Sequence, residues 1–410
     1  MKSASIPRYA AEIALLLETG PRYKFGEVRF SGADNYPEPF LRRYLAFDSG
    51  EVYSQARLGQ TQLNFLDSDR FKEIRLLPDR AAAVDEQIPV EIALEPLSTR
   101  RLRPGIGYGT DTGARLSLQF QNLNVFERGH ELTLEMNLSQ VRQTLGAAYV
   151  WPDLKSLNSY TALRAGVEQE DVDAYETRKI YTEIERTREL GRGSKGSLYT
   201  QFFYEDFNVG DEEDGLMMIV PGLRFSHRGY RDLIRPRKGY QYSLELRGGH
   251  QWAGSDTGLL QLLMAGNFML PLPGRFTLFV RGEGAGTLQN EPVQDVPVSL
   301  RFFAGGDQSV RGYAYKSLGP EDDDGEVVGG KHLLVGSIEL ERALGDNWGV
   351  AAFYDVGNAF DSFSEYHLAE GVGVGVRRYT PIGPVKLDIA TDISEPDPGF
   401  RFHLSIGFGW

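Results

Sequence analysis

The chain has 410 residues, with 44 Lys and Arg against 57 Asp and Glu, and a formal net charge of −13. This acidic balance argues against a nucleic-acid-binding protein, which needs a basic face. The absence of cysteine excludes disulfides, zinc–thiolate sites and thiol nucleophiles. No two of the six histidines lie within four residues of each other, which leaves little basis for a metal site.

Hydropathy alone does not assign the chain to a class. No run approaches the roughly 18 apolar residues of a membrane-spanning helix, and the mean hydropathy is −0.34. A membrane β-barrel also averages polar, because its strands alternate apolar and polar side chains. Residues 1–8 are followed by Glu12 and by no small-residue cleavage site, so we expect a mature or truncated start and not a secretory leader.

The first hundred residues predict a small α/β module. Residues 24–31 (KFGEVRFS) alternate like a strand, and helical spacing follows over 36–46 and again after Ser54. Alternation returns over 72–77 and 88–94, which gives the order β-α-α-β-β. We assign residues 23–97 to this module. The second helix is expected to bury its apolar side chains, Leu58, Leu63, Phe65 and Leu66.

The segment before the module predicts one more strand. Residues 12–18 (EIALLLE) have strand character and are followed by Gly20 and Pro21, but they have no partner strand of their own. We therefore interpret residues 1–22 as the last strand of a preceding module, whose other elements are missing from this sequence.

After about residue 98 the sequence consists of alternating segments of roughly ten residues, separated by Gly, Asn, Asp and Pro. In the last segment, 400–410, apolar side chains share one face, while Arg401, His403 and Ser405 share the other. One face suits lipid and the other suits a wet lumen. About sixteen segments are predicted, near 102–109, 113–121, 130–139, 142–151, 159–169, 175–188, 194–207, 216–226, 239–250, 256–269, 274–287, 331–342, 347–356, 368–378, 384–392 and 400–410.

An even number of such strands predicts a closed antiparallel membrane β-barrel over residues 98–410, because closure leaves no unpaired edge in lipid. A soluble β-sandwich or propeller is the alternative. It requires fewer strands or a blade repeat of roughly 40–50 residues, and the sequence has no such repeat.

Residues 288–330 interrupt the alternation and are too long for an ordinary loop, which indicates a functional segment. Its centre reads RFFAGGDQSVRGY (301–313), and a later strand reads FYDVGN (353–358). This pair of motifs resembles the Omp85 superfamily of sixteen-stranded outer-membrane barrels, which follow POTRA modules of the order β-α-α-β-β. Residues 236–240 (PRKGY), 381–389 (PIGPVKLDI) and the aromatic C-terminus are also similar to that family.

Within the superfamily, residues 20–32 and 107–132 are most similar to TamA, the translocation and assembly module barrel. The resemblance implies a bacterial outer-membrane location with the module in the periplasm. It implies non-enzymatic work on client β-barrel or autotransporter proteins, contact with outer-membrane lipid, and a TamB-like periplasmic partner. TamA proteins usually carry three POTRA modules, whereas one module and a strand remnant are predicted here.

Several other functions stay open at this point. Inside the superfamily they are a BamA-like general insertase, which carries more modules, and a two-partner secretion transporter, which usually has a plug helix and two modules. Outside it they are a passive porin, an outer-membrane barrel enzyme and a soluble β-rich enzyme. A porin conducts ions steadily, whereas a lid held in the lumen restricts conductance.

The lid motif supplies the candidate site residues Val310, Arg311, Gly312 and Tyr313. A guanidinium in a loop folded into a lumen needs a carboxylate partner. The resemblance implies Asp355 as that partner, on a strand that also carries Phe353 and Gly357. A bidentate Arg–carboxylate pair fixes orientation as well as charge, and Gly312 allows a turn where a Cβ clashes. The alternative is a surface turn with an exposed arginine.

The first and last barrel strands predict a weak seam. Proline lacks an N–H, and glycines pack nothing and lose backbone entropy, so few ladder bonds are expected where 102–109 meet 400–410, with Ile106 near Ile406. We predict that this seam opens laterally toward lipid. The alternative is that the glycines only relieve crowding in the lumen. The predicted seam residues are Pro104, Gly105, Gly107, Gly109, Gly407, Gly409 and Trp410.

No catalytic, cofactor-binding or metal site is predicted. Residues 325–331 (GEVVGGK) have P-loop spacing, but His332 replaces the Ser or Thr that holds Mg²⁺, so no nucleotide is expected. Residues 191–196 (GRGSKG) lie between two alternating segments and predict a hairpin turn. Residues 321–324 (EDDD) lack the ligand spacing of an EF-hand loop, which favours a solvated loop tip.

Overall fold

The computed structural model describes residues 21–191, 193–210, 212–230, 237–289, 292–364, 366–380, 383–394 and 399–406. It divides the chain into two compact units between Leu97 and Ser98. Among the helices so described, none is long and apolar enough to cross a membrane. Some residues singled out in the sequence lie outside the described ranges: the strand at 12–18, Pro236, Pro381, Ile382, Gly407, Gly409 and Trp410.

The first unit has the predicted order β-α-α-β-β. Its strand β3 is central, runs parallel to β1 and is antiparallel to β2. The two helices lie in the connection between β1 and β2, in agreement with the predicted module. The elements are β1 (Lys24–Ser31), α1 (Glu38–Arg42), α2 (Gln55–Leu66), β2 (Phe71–Pro78) and β3 (Gln87–Pro96).

Helix α2 corrects part of the predicted module core. Leu58 and Phe65 are buried as expected, but Leu63 is 52% and Leu66 45% exposed. The helix repeats every 3.6 residues, so Leu58, Thr61 and Phe65 share the buried face and the other two leucines turn away from it. The buried Thr61 hydroxyl accepts a hydrogen bond from the Ala46 amide at 2.9 Å, a contact that the apolar pattern did not indicate.

The second unit is a closed barrel of sixteen antiparallel strands, which confirms the predicted fold class and strand count. Neighbours in sequence pair as hairpins, and the last strand returns to the first. The strands are β4 (Arg100–Gly109), β5 (Gly113–Val125), β6 (His130–Leu138), β7 (Arg142–Pro152), β8 (Tyr160–Val172), β9 (Tyr175–Gly191), β10 (Ser194–Val209), β11 (Glu212–Arg228), β12 (Gly239–Gly249), β13 (Leu259–Leu272), β14 (Phe276–Gln289), β15 (His332–Ala343), β16 (Trp348–Phe360), β17 (Ala369–Thr380), β18 (Gly383–Asp392) and β19 (Phe400–Ile406).

The barrel wall is apolar outside and polar inside. On β15, Leu334 and Ile338 are exposed on the outer face, whereas Ser337 and Glu341, on the opposite face of the strand, are buried toward the lumen. The last strand behaves in the same way, because Phe402 is 60% exposed and His403 only 2%. Side chains alternate between the two faces of a strand, so one face meets lipid and the other meets the lumen.

The seam between β4 and β19 is short in the described residues. Ser405 pairs with Gly109 and Ile406 with Tyr108, whereas β18 accompanies β19 along its whole described length. The expectation that Ile106 lies near Ile406 is therefore off by two residues. Barrel closure sets this register, and neither strand determines it alone.

Candidate functional site

The long segment between β14 and β15 forms a lid that is folded against the inner wall of the barrel. The structure describes residues 292–331 of it, including two short 3-10 turns, Val293–Asp295 and Val298–Leu300. We call this segment the lid. Its side chains and main chain contact inward-facing residues on strands around the barrel, so the lid crosses the lumen.

Arg301 links the N-terminal part of the lid to its C-terminal part. It is 5% exposed, and its Nε donates to the Val296 carbonyl at 2.8 Å. The Nη1 atom donates to the Val328 carbonyl at 3.1 Å and Nη2 to the Gln294 carbonyl at 2.9 Å. One buried cation therefore satisfies carbonyl groups on both sides of the loop, and it fixes the base from which the lid tip, residues 304–313, projects.

The lid arginine Arg311 reaches the predicted carboxylate. Its Nε lies 2.6 Å from Asp355 Oδ2 and its Nη2 lies 2.9 Å from Asp355 Oδ1, which is a bidentate pair. The Arg311 amide also donates to Asp355 at 3.1 Å, and the Ser337 hydroxyl donates at 2.5 Å. Asp355 is fully buried and Arg311 is 6% exposed, so the alternative of an exposed arginine turn is wrong.

The ring of Phe353 completes the seat of Arg311. The guanidinium carbon lies 3.3 Å from the ring centroid, so the ring covers one face of the cation while carboxylates meet its edge. Burial alone lowers the pKa of the Arg311 guanidinium, but the hydrogen bond and charge of Asp355 outweigh it and raise that pKa above its ordinary value. Arg311 therefore stays charged in the lumen.

Three further charged residues around Arg311 were not identified from the sequence. Glu339 on β15 accepts from Arg311 Nη1 at 2.7 Å, and Asp388 on β18 lies 3.4 Å from the same atom. Arg377 on β17 bonds both carboxylates, at 3.0 Å to Glu339. The two arginines and three carboxylates form one network across β15–β18. Their inward position was readable from alternation, but their common location depends on strand order.

Strand β17 carries a glycine path beneath the lid tip that was also missed. Gly371, Gly373 and Gly375 occupy successive inward positions of the sequence GVGVGV. A Cβ at Gly371 clashes with the Arg311 carbonyl, and one at Gly373 clashes with the Phe353 ring. Gly371 needs glycine because the lid main chain lies directly against it, whereas Gly373 and Gly375 leave room for Phe353 of β16 and Asp388 of β18. The alternating glycines were the signal that could have revealed this approach.

The other predicted lid residues have separate places. Val310 is fully buried in an apolar cluster, and Tyr313 packs against the same cluster. Gly312 has φ +104°, and a Cβ there lies 3.0 Å from the main chain of β18, so glycine is required. A Cβ at Gly357 meets β15 main chain, 2.5 Å from the Leu334 carbonyl, so its nearest neighbours belong to the barrel wall.

The lid is also attached to the opposite wall. The Ser299 amide donates to Glu205 on β10 at 2.9 Å, and Glu205 is fully buried. The side-chain amide of Gln261 on β13 donates to the Leu300 carbonyl at 2.6 Å. The Lys316 ammonium lies 2.8 Å from Glu170 on β8. These contacts hold the lid from several sides, so its position does not depend on Arg311 alone.

A last set of lid contacts reaches both sides of the seam. The Gly312 amide donates to His403 Nε2 on β19 at 3.2 Å. The Asp307 amide donates to Asp111 Oδ2, in the turn between β4 and β5, at 2.6 Å. His403 Nδ1 and Asp111 Oδ1 are 3.6 Å apart. Burial, and then the charge of Asp111, raise the pKa of the Asp307 carboxyl above its usual value.

The seam residues predicted on β4 divide into two groups. A Cβ at Gly107 lies 2.8 Å from the Ile406 carbonyl, so this glycine allows β19 to approach. Cβ atoms at Gly105 and Gly109 meet side chains of β5 or its preceding turn instead, which fits the alternative of relieved crowding. Pro104 pairs with Leu118 on β5 and contributes no N–H to the ladder.

A closed sixteen-stranded barrel with a long loop tied into its lumen, following a small β-α-α-β-β module, defines the class of lidded membrane β-barrels. The family model of the Omp85 superfamily domain matches residues 124–410, and the chain belongs to that superfamily. It is a protein of the bacterial outer membrane, with its POTRA-like module in the periplasm.

Two proteins named outer membrane protein assembly factor BamA are similar to the chain. The one from Nitratidesulfovibrio vulgaris is 21% identical, covering 98% of this chain and 53% of its own length. The one from Neisseria meningitidis serogroup B is 22% identical, covering 97% of this chain and 58% of its own length. The chain therefore spans about half the length of these relatives.

Two solved structures share the fold. BamA from Haemophilus ducreyi lacking POTRA domains 1–3 matches with a TM-score of 0.81 at 18% identity, covering 95% of this chain and 85% of that one. CdiB from Acinetobacter baumannii matches with a TM-score of 0.61 at 16% identity, covering 94% and 74%. At these identities the likeness establishes the architecture alone.

Proposed function

We propose that the protein assists the insertion or secretion of β-rich clients, such as autotransporters, at the outer membrane, as a TamA-like factor. The observation that carries this proposal is the combination of a lumen crossed by a tied lid with a seam that has two registered pairs in the described residues. A parted seam offers unpaired N–H and C=O groups, and an incoming client strand pairs with them by β-augmentation.

The assignment within the superfamily rests on the sequence. The segments at 20–32 and 107–132 favour a TamA-like role, with a TamB-like periplasmic partner. The main alternatives are a BamA-like general insertase, in line with the names of the relatives, and a two-partner secretion transporter. We propose a non-enzymatic role in each of these cases. The seat of Arg311 holds the lid in position, and the lid keeps the seam closed.

The lid is part of this mechanism because it holds both sides of the seam. Through His403 it is bonded to β19, and through Asp111 it is bonded to the turn that follows β4. When these strands separate, at least one of the two lid contacts must break or move. Seam opening and lid release are therefore coupled, and the seam stays closed while the lid is in its seat.

The proposed function is tested with reconstituted vesicles. An unfolded autotransporter β-domain is added to vesicles that contain the protein, and folded client is counted by its heat-modifiable gel mobility. We expect faster assembly than in vesicles that contain an unrelated barrel of similar size. Equal rates, together with steady ion conductance across a planar bilayer, show a porin and contradict the proposal.

The lid–seam contacts predict a paired response. In His403→Ala or Asp111→Ala we expect hydrogen exchange to rise about fivefold to tenfold, because one net hydrogen bond is worth about 1 kcal/mol. The increase should occur both in lid residues 304–313 and in Leu404–Ile406 backbone amides. His130→Ala, which changes a histidine on β6, is the matched control and should alter neither. A change confined to the lid shows that seam and lid are independent.

A further inference from the structure

The outer faces of four adjacent strands end in arginine or an aromatic side chain at one rim of the barrel. On β15, the exposed side chains of Ile338 and Leu340 are followed, nearer the rim, by the exposed side chain of Arg342. On β17, the outward Val374 and Val376 are followed by Arg378. Both arginines therefore lie where the lipid-facing band ends, which is the level of lipid headgroups.

Each of these arginines stacks on a ring of the neighbouring strand. Arg342 is the registered partner of Phe276 on β14, and its guanidinium carbon lies 5.5 Å from the ring centroid. Arg378 is the registered partner of Trp348 on β16, at 4.8 Å from its ring. The same arrangement is thus built twice on adjacent hairpins. The exposed Arg275 adds a third guanidinium beside Phe276.

The stacked guanidinium groups have donor groups to spare. Within the described ranges, neither Arg342 nor Arg378 forms an ion pair, whereas Arg275 lies 4.0 Å from the exposed carboxylate of Asp346. A ring covers the face of a guanidinium but leaves its in-plane N–H groups available, and these match the oxygens of a phosphate. The patch therefore carries more positive than negative charge at headgroup level.

Chain direction places this rim on the periplasmic side. Strands β15 and β17 end at the rim where β4 begins, because neighbouring strands are antiparallel. β4 follows the periplasmic POTRA-like module directly in the chain. The rim therefore meets the inner leaflet of the outer membrane.

We propose that Arg275, Phe276, Arg342, Trp348 and Arg378, here called the headgroup patch, bind the phosphate of anionic phospholipids in the periplasmic leaflet. Anionic headgroups are selected over zwitterionic ones because a zwitterionic headgroup carries a cation of its own, which the excess positive charge of the patch repels. The rings anchor the patch at the interface and hold the guanidinium groups in position. This inference concerns the outer wall and does not depend on the proposed role in client assembly.

The test uses the full chain in phosphatidylcholine vesicles with a small fraction of spin-labelled phosphatidylglycerol or spin-labelled phosphatidylcholine. Electron spin resonance gives the fraction of each label held at the protein. We expect the wild-type protein to prefer phosphatidylglycerol. In Arg342→Gln/Arg378→Gln this preference should fall about fivefold for each arginine that is replaced. Arg342→Lys/Arg378→Lys keeps the charge and should retain part of the preference.

Arg188→Gln/Lys155→Gln is the matched control, since it removes the same charge from the same rim. Arg188 lies on β9 opposite Gly196, and Lys155 lies in the turn before β8. The control should keep the preference. An equal loss in the control shows that rim charge acts without a site, and displacement of the label by millimolar inorganic phosphate shows a free-phosphate site. Either result overturns the proposal, as does a wild type without preference.

Discussion

Replacing Arg311 by alanine is expected to release the lid tip and abolish client assembly while the barrel stays folded. The substitution leaves Asp355 buried with its bidentate partner gone, which typically costs about 3–5 kcal/mol for a dry pair. Water in the lumen reduces that cost, and the contacts of Ser299, Leu300 and Lys316 keep the lid base attached. Arg311→Lys should rescue poorly, because an ammonium cannot form the bidentate pair.

A double-mutant cycle measures this pair directly. Hydrogen exchange of the lid peptide is followed in Arg311→Ala, Asp355→Ala and the double variant, and we expect a coupling free energy of about 2–3 kcal/mol. The control cycle uses Arg224 and Glu245, an ion pair of 2.9 Å on β11 and β12 that does not touch the lid. Substitutions in this control pair should leave hydrogen exchange of the lid peptide unchanged. A coupling near zero for Arg311 and Asp355 refutes the assigned pairing.

A disulfide across the seam is expected to stop client assembly nearly completely. Tyr108 and Ile406 are registered partners on β4 and β19, and facing Cβ atoms of antiparallel strands are about 4.5–5.5 Å apart, within reach of a disulfide. The chain has no native cysteine, so Tyr108→Cys/Ile406→Cys forms a single defined bridge. If clients enter through the seam, oxidation should reduce assembly to the level of empty vesicles, and reduction should restore it.

The matched control is a bridge in a seam that has no reason to open. Leu340 and Ala352 are registered outward partners on β15 and β16, so Leu340→Cys/Ala352→Cys locks an ordinary hairpin. This disulfide should leave the assembly rate unchanged. If the oxidised seam variant still assembles clients as fast as the same variant with its disulfide reduced, lateral opening is not the route, whatever the lid does.

The central pair of the lid site was predicted because its motifs resemble those of a known family. The long non-alternating segment indicated a functional loop, and the resemblance implied that Arg311 of the VRGY sequence is paired with Asp355 on a later strand. The side chains of Glu339, Arg377 and Asp388 were not found. They lie on three different strands, and single inward charges in a barrel wall are common, so nothing in the sequence sets these three apart from the others.

The clearest difference between sequence and structure is at the seam. The identity of the two strands followed from the order of segments along the chain, but their register did not. Ile406 faces Tyr108 and not Ile106, and the lid joins this place through His403 and Asp111. A lone histidine on an inward face and an aspartate in a turn carry no signal until the lid is placed between them.

The sequence by itself determined that this protein is a sixteen-stranded barrel behind a small α/β module. A period of two fixes which side chains meet lipid and which meet the lumen, and this information is present within each strand. The tertiary structure decided the charge network, the glycine path on β17 and the seam register. These features arise only when distant strands close into a cylinder, because closure fixes their neighbours and their stagger together.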